Sequence, residues 1–195
     1  MFSHLSPYSL RLVACLFLLS SFNTKAIVIN GCTIEPNTVC IGTNLTGVDL
    51  NSANLSGAGL FGVKLRNASL YNANLSGAWI EGADLRGADL RNANLENVGI
   101  SVSNMAFADL SGTSLTGAIF LSTYLVGANL QSETLFAADL RSAIYNDQTL
   151  FPADFDPVAA GMSIGDATFV PLPAGIYLFL SGLEGLGLMR GRGSK

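Results

Sequence analysis

From residue 45 to residue 150 the chain carries a bulky apolar residue at every fifth position. The series opens Leu45, Leu50, Leu55, Leu60, Leu65, Leu70, Leu75, Ile80 and closes Leu130, Leu135, Leu140, Tyr145, Leu150, with Met105 and Phe120 within it. That makes 22 consecutive apolar centres without insertion or deletion. Two residues before most centres stands a very small residue, as at Ala53, Ala58, Ala68, Ala73, Ala78, Ala83, Ala88 and Ala93. A helix buries every third or fourth residue and a half-buried strand every second, so a strict five suits neither. On a helix, steps of five rotate by about 140° and scatter the centres around the axis. The spacing instead predicts a chain that turns a corner every five residues, with each centre and the small residue before it pointing inward. Four sides close a coil, and residues 20 apart should stack. Leu50, Leu70, Leu90, Leu110, Leu130 and Leu150 form one such column, and Leu60, Ile80, Ile100, Phe120 and Leu140 another. At the strand spacing of about 4.8 Å, five and a half coils would make a rod roughly 25 Å tall. The outward positions are mainly Asn, Asp, Ser, Gly, Thr and Arg, which suit tight corners.

The units ADLRG, ADLRN and ANLEN within this stretch give it its family likeness: residues 44–151 resemble the pentapeptide-repeat family, with motif A(D/N)LXX. The resemblance implies an all-β fold, a right-handed quadrilateral β-helix. The chain departs from the motif at Lys64, Trp79, Ile119, Tyr124 and Ile144, where Asp or Asn is expected. Glu133 and Gln148 take inward positions normally held by small residues, which predicts fraying in the last coil.

The flanks divide the remaining chain. Residues 1–26 have the form of a secretory signal peptide, with Arg11, an apolar core from Leu12 to Phe22 and small residues at Thr24 and Ala26. Residues 27–43 are expected to cap the first coil, and Cys32 and Cys40 are read there as a candidate disulfide. Residues 152–169 read as a C-terminal cap and linker; Phe155, with Phe151 just before the segment, closes the end of the bore, and Gly161 begins a tether. In residues 170–195, Val170, Pro171, Leu172, Pro173 and Ala174 precede an apolar run that ends at Met189, before Arg190, Arg192 and Lys195. That order resembles the PEP-CTERM sorting signal of VPLPA type. It implies an apolar tail helix, transient membrane anchoring and recognition by an exosortase in a Gram-negative bacterium. Glu184 stands mid-segment, where a carboxylate costs roughly 2–3 kcal/mol of insertion.

Charge and chemistry narrow the function. Residues 27–169 hold 13 acidic and five basic side chains, a balance of −8, which opposes nucleic acid as a partner. The single histidine, His4, lies in the signal segment, so the remainder has no imidazole base and no His-based metal site. No enzyme activity, cofactor or metal is expected. One outward feature is distinctive: Phe61, Trp79, Ile119 and Leu121 flank one column, with Tyr124, Val126 and Ile144 on the next side, a candidate contact patch. The expected function is that of a structural or interaction protein of the cell surface or extracellular matrix. Its expected partners are an exosortase, then extracellular polysaccharide or a surface protein, with the membrane met through the tail. The alternative, implied by the repeat family, is a DNA-mimicking topoisomerase-binding protein; export opposes it.

Overall fold

A computed structural model describes residues 27–165. The expected signal segment, the PEP-CTERM-like residues Val170, Pro171, Leu172, Pro173, Ala174, Arg190 and Arg192, and the expected tail helix lie outside the described residues. Within these, the chain is a parallel β-solenoid whose coils repeat every 20 residues. On one side the rungs are long enough to be strands: β3 (Val39–Ile41), β4 (Gly59–Phe61), β5 (Trp79–Glu81) and β6 (Gly99–Ser101). They pair in parallel, with Cys40 opposite Leu60, Leu60 opposite Ile80 and Ile80 opposite Ile100. The other three sides are held by single-residue bridges, as in Asn44–Lys64–Asp84–Asn104–Tyr124–Ile144 and Asp49–Ser69–Asp89–Asp109–Asn129.

The five-residue unit follows from its hydrogen bonds. Each centre donates its amide to a carbonyl in the next coil, such as Leu45 N–H to Lys64 O at 2.7 Å and Leu65 N–H to Asp84 O at 2.7 Å. The corner closes with a turn in which Ala53 N–H donates to Leu50 O at 3.0 Å and Ala68 N–H to Leu65 O at 3.0 Å. Its third residue is left-handed, as at Gly47 (φ 66°), Ser52 (φ 57°) and Asn67 (φ 54°), which is why Gly, Asn and Ser recur two places after the centre. The Asp or Asn before the centre caps the same corner. Asp49 Oδ1 accepts Asn51 N–H at 3.0 Å, and Asp89 Oδ1 accepts Arg91 N–H at 3.1 Å. So both polar positions of the motif are corner chemistry, and the Leu between them faces the bore.

The core is the stack of centres, almost completely buried from Cys40 through Leu140, with the small residues buried beside them from Ala58 through Ala128 and Phe120 the largest fully enclosed side chain. Each enclosed Leu contributes about 1.5–3 kcal/mol relative to exposure.

The ends differ from expectation. The repeat starts earlier than residue 44. Cys40 already occupies a centre, stacked below Leu60, and its disulfide to Cys32 lies in the bore. Before it, β1 (Ile27–Ile29) and β2 (Cys32–Ile34) form an antiparallel hairpin over an Asn30-Gly31 turn with φ of 50° and 85°. Asn30 Nδ2 donates to Asn44 O at 2.6 Å and latches the hairpin to the first coil.

The last coil slips its phase. Leu150 does not join its column but is half exposed, while Thr149 is buried in the inward place expected for Gln148. Leu130 N–H donates to Leu150 O, 20 residues on rather than the usual 19, so one extra residue has entered the coil. Thr149 Oγ1 explains the choice, since it donates to Leu125 O at 3.0 Å and accepts Asn146 N–H at 3.1 Å. Glu133 is likewise exposed and Ser132 takes the inward place, followed by a 3-10 turn at Leu135–Ala137. Ser132 Oγ donates to Thr113 O at 2.6 Å, so a side chain replaces the missing backbone bond.

Phe151 and Phe155 do pack on the end of the core, stacked on each other at 5.2 Å, with Tyr145 edge-on to Phe151 at 5.6 Å. The segment from Gly161 is not wholly a tether. Met162 is buried, and β8 (Ser163–Ile164) returns to pair in parallel with β7 (Ile144–Tyr145).

This slip makes a direct prediction. Leu150→Ser is expected to change stability by less than about 0.5 kcal/mol, and Phe151→Ser to cost about 2 kcal/mol or more in urea unfolding. The reverse order would place Leu150 in the core.

Candidate interaction face

The strand-bearing side presents two outward columns, one residue before and one after each centre. The first reads Val39, Gly59, Trp79, Gly99, Ile119; the second reads Ile41, Phe61, Glu81, Ser101, Leu121. Val39, Ile41 and Trp79 are about two-thirds exposed (63%, 70% and 67%), and Ile119 and Leu121 are each 40% exposed. The structure therefore brings Phe61, Trp79, Ile119 and Leu121 onto one face. Tyr124 belongs to the neighbouring side, bridged to Asn104 and Ile144, and Val126 is fully buried, so neither extends the patch.

Val39 and Ile41 were not foreseen as members. The signal was available: stepping the repeat back from Leu45 by five reaches Cys40, whose two neighbours are these residues.

The two glycines of the first column are spaces filled by rings. A Cβ on Gly59 would fall 2.6 Å from Cε2 of Phe61. A Cβ on Gly99 would meet three adjacent Trp79 ring atoms, Cε3, Cδ2 and Cζ3, at 3.4, 3.7 and 3.7 Å. Those near-equal distances place the indole face-on over the Gly99 backbone, with its other face toward solvent.

The middle of this face carries one charge, Glu81, on the same rung as Trp79. At the far end Arg141 folds back on Asp139 with Nη2–Oδ2 at 2.6 Å. On the other sides Arg91 clamps Asp89 at 2.7 Å, and Arg66 and Arg86 share Asp84 at 3.3 and 2.6 Å. Arg91 also sits 5.6 Å over the Tyr71 ring. Side-chain hydrogen bonds from Arg91 and Arg141, aided by their backbone amides, hold the Asp89 and Asp139 carboxyls below the usual carboxylate range. Among the described residues no group of three His, Cys, Asp or Glu could hold a metal. A depression of about 300 Å³ between Phe136, Asp139, Phe155 and Asp156 lies at the C-terminal cap, at the end of the column that runs through Ile119 to Asp139.

A 20-residue, four-sided parallel solenoid with Asp or Asn before many of its buried Leu residues defines a class. The family model for pentapeptide repeats matches residues 37–67, 68–98 and 103–141. The chain belongs to the pentapeptide-repeat family. Among solved structures it is similar to a pentapeptide repeat protein from Nostoc, at 33% identity over 57% of this chain and 84% of that one, with a TM-score of 0.31. It is also similar to a pentapeptide repeat protein of the Arabidopsis thaliana thylakoid lumen, at 21% identity over 68% of this chain and 88% of that one (TM-score 0.34). QnrB1, a plasmid-mediated fluoroquinolone resistance protein, shares 18% identity over 79% of this chain and 88% of its own (TM-score 0.35). No curated protein matches the chain significantly.

The Arg clamps predict a pH response. A carboxyl with a lowered folded pKa stabilises the fold above its unfolded pKa, and that support is lost as pH falls through the folded value. Carboxyl NMR titration should show Asp89 and Asp139 ionised below the ordinary Asp value of 3.8. Arg91→Ala should move the Asp89 midpoint up and leave Asp139 unchanged. An unmoved Asp89 would contradict the clamp.

Proposed function

We propose that the chain is an exported, non-enzymatic rod that displays one apolar side as a contact surface at the cell surface or in the extracellular matrix. The observation that carries the reading is the strip of Val39, Ile41, Phe61, Trp79, Ile119 and Leu121 gathered on one side of the rod. Its exposed side chains have no packing role to account for them, whereas the buried column beside them does. The Cys32–Cys40 disulfide supports an oxidising compartment, in keeping with the signal-like residues 1–26. The Pro-rich motif, apolar run and basic end of residues 170–195 support sorting through a PEP-CTERM-type tail by an exosortase. The bound partner is then extracellular polysaccharide or a surface protein.

Expression in an exosortase-bearing bacterium, with intact-mass analysis of each fraction, tests the reading. The expected product lies outside the cytoplasm and lacks residues near 1–26 and the tail beyond Pro173. Trp79→Ala with Leu121→Ser should lower its retention on cells severalfold without changing its export. A full-length cytoplasmic product would contradict the export, and unchanged retention would contradict the contact surface.

A further inference from the structure

The apolar side has a width, a spacing and a chemistry, and together these narrow its occupant. From Val39 to Ile119 it runs four rung spacings, about 19 Å, and across one three-residue rung it is about 10 Å wide. Covering all of its exposed apolar side chains would bury roughly 600 Å², short of the roughly 800 Å² per partner of a standard protein–protein interface. A long, narrow strip suits a chain-like ligand lying along the rod better than a second copy of the rod.

Two rings form its middle. Trp79 is propped face-on by Gly99 and offers its outer face to solvent, and Phe61 turns its Cε2 edge onto Gly59. The two supporting glycines are two rungs apart, about 10 Å, the rise of two pyranose rings in an extended glycan. Flat aromatic faces attract the axial C–H face of a pyranose, which is apolar on its faces and polar around its rim.

A hydroxyl acceptor borders the rings. Glu81 lies in the second column between Phe61 and Ser101. No side chain among the described residues bonds its carboxylate, unlike those of Asp84, Asp89 and Asp139, which hold arginines. With this carboxylate on the strip and a balance of −8 over residues 27–169, an acidic glycan is disfavoured.

We infer that this side binds an extended, uncharged, β-linked glycan chain along the rod axis, stacking on Phe61 and Trp79 with its hydroxyls bonded to Glu81. The inference rests on the contact-surface reading above and adds the class of ligand.

Trp79 is the only tryptophan in the chain, so its fluorescence reports on this face alone. With the full chain in solution, cellohexaose should shift Trp79 emission to the blue in a saturable way. Maltohexaose, which coils, should do so at least tenfold more weakly. In native gels containing hydroxyethyl cellulose, retardation should be lost in Trp79→Ala and weakened about tenfold in Phe61→Ala and severalfold in Glu81→Gln. Tyr71→Ala, on another side, should run as the parent, and circular dichroism checks that each variant is folded.

No emission change with cellohexaose would overturn the assignment, as would retardation that survives in a folded Trp79→Ala chain. So would an indole already shielded from acrylamide in the free protein. Shielding lost on dilution would mean a second copy covers the strip; shielding that persists would mean the chain's own flanks do. If cellohexaose has no effect while Trp79→Ala with Leu121→Ser still lowers cell retention, the glycan assignment fails and the contact surface stands. If both fail, the contact surface fails too.

Discussion

The structure depends on one constraint: every fifth residue the chain must turn a corner that returns the next apolar centre to the bore. Through most of the rod the inter-coil backbone bonds repeat at a register of 20, and the columns of Leu, Ile, Met and Phe hold that register. Its strength shows where local preference opposes it. Val102 and Phe107 occupy left-handed corner positions, with φ of 50° and 60°, although a β-branched or bulky residue is disfavoured there by roughly 1–2 kcal/mol. Ile100, Met105 and Leu110 around them are fully enclosed, and their burial exceeds the local cost.

The same constraint separates fold from function. Inward positions are committed to the solenoid, so the chemistry of each side is set by the residues flanking its centres. On three sides those residues are mostly Asx caps and short polar or charged groups, with arginines bound back onto local carboxylates. The fourth side carries valine, isoleucine, phenylalanine and tryptophan instead, with glycines where rings need room. A parallel sheet side is flat and its rungs evenly spaced, so substitutions 20 residues apart in sequence become neighbours about 4.8 Å apart.

The period made the fold legible in the sequence, because 22 in-phase centres admit few other ways to bury them. The face was partly legible: Trp79 and Ile119 stand where the motif calls for Asp or Asn, and the 20-residue columns place them together. What escaped were features that the period does not encode. The hairpin at Asn30-Gly31 is signalled by that dipeptide rather than by the repeat. Cys40 is a centre hidden by its identity, so Val39 and Ile41 went uncounted. The slip at Leu150 depends on Thr149, whose hydroxyl satisfies a corner that Gln148 could not enter. Tyr124 stands on the next side, where its column places it, with a corner between it and the patch. The expected export signals fall outside the described residues.

The central claim is that centres face inward and their neighbours outward. Thermal unfolding of Leu90→Arg beside Arg91→Ala tests it most directly, because Leu90 is fully buried and Arg91 is half exposed. The account predicts that Leu90→Arg abolishes a cooperative melt, since an unpaired charge cannot be held in the bore. It predicts that Arg91→Ala melts within a few degrees of the parent. A cooperative, parent-like melt for Leu90→Arg would contradict the inward ladder, and with it the solenoid.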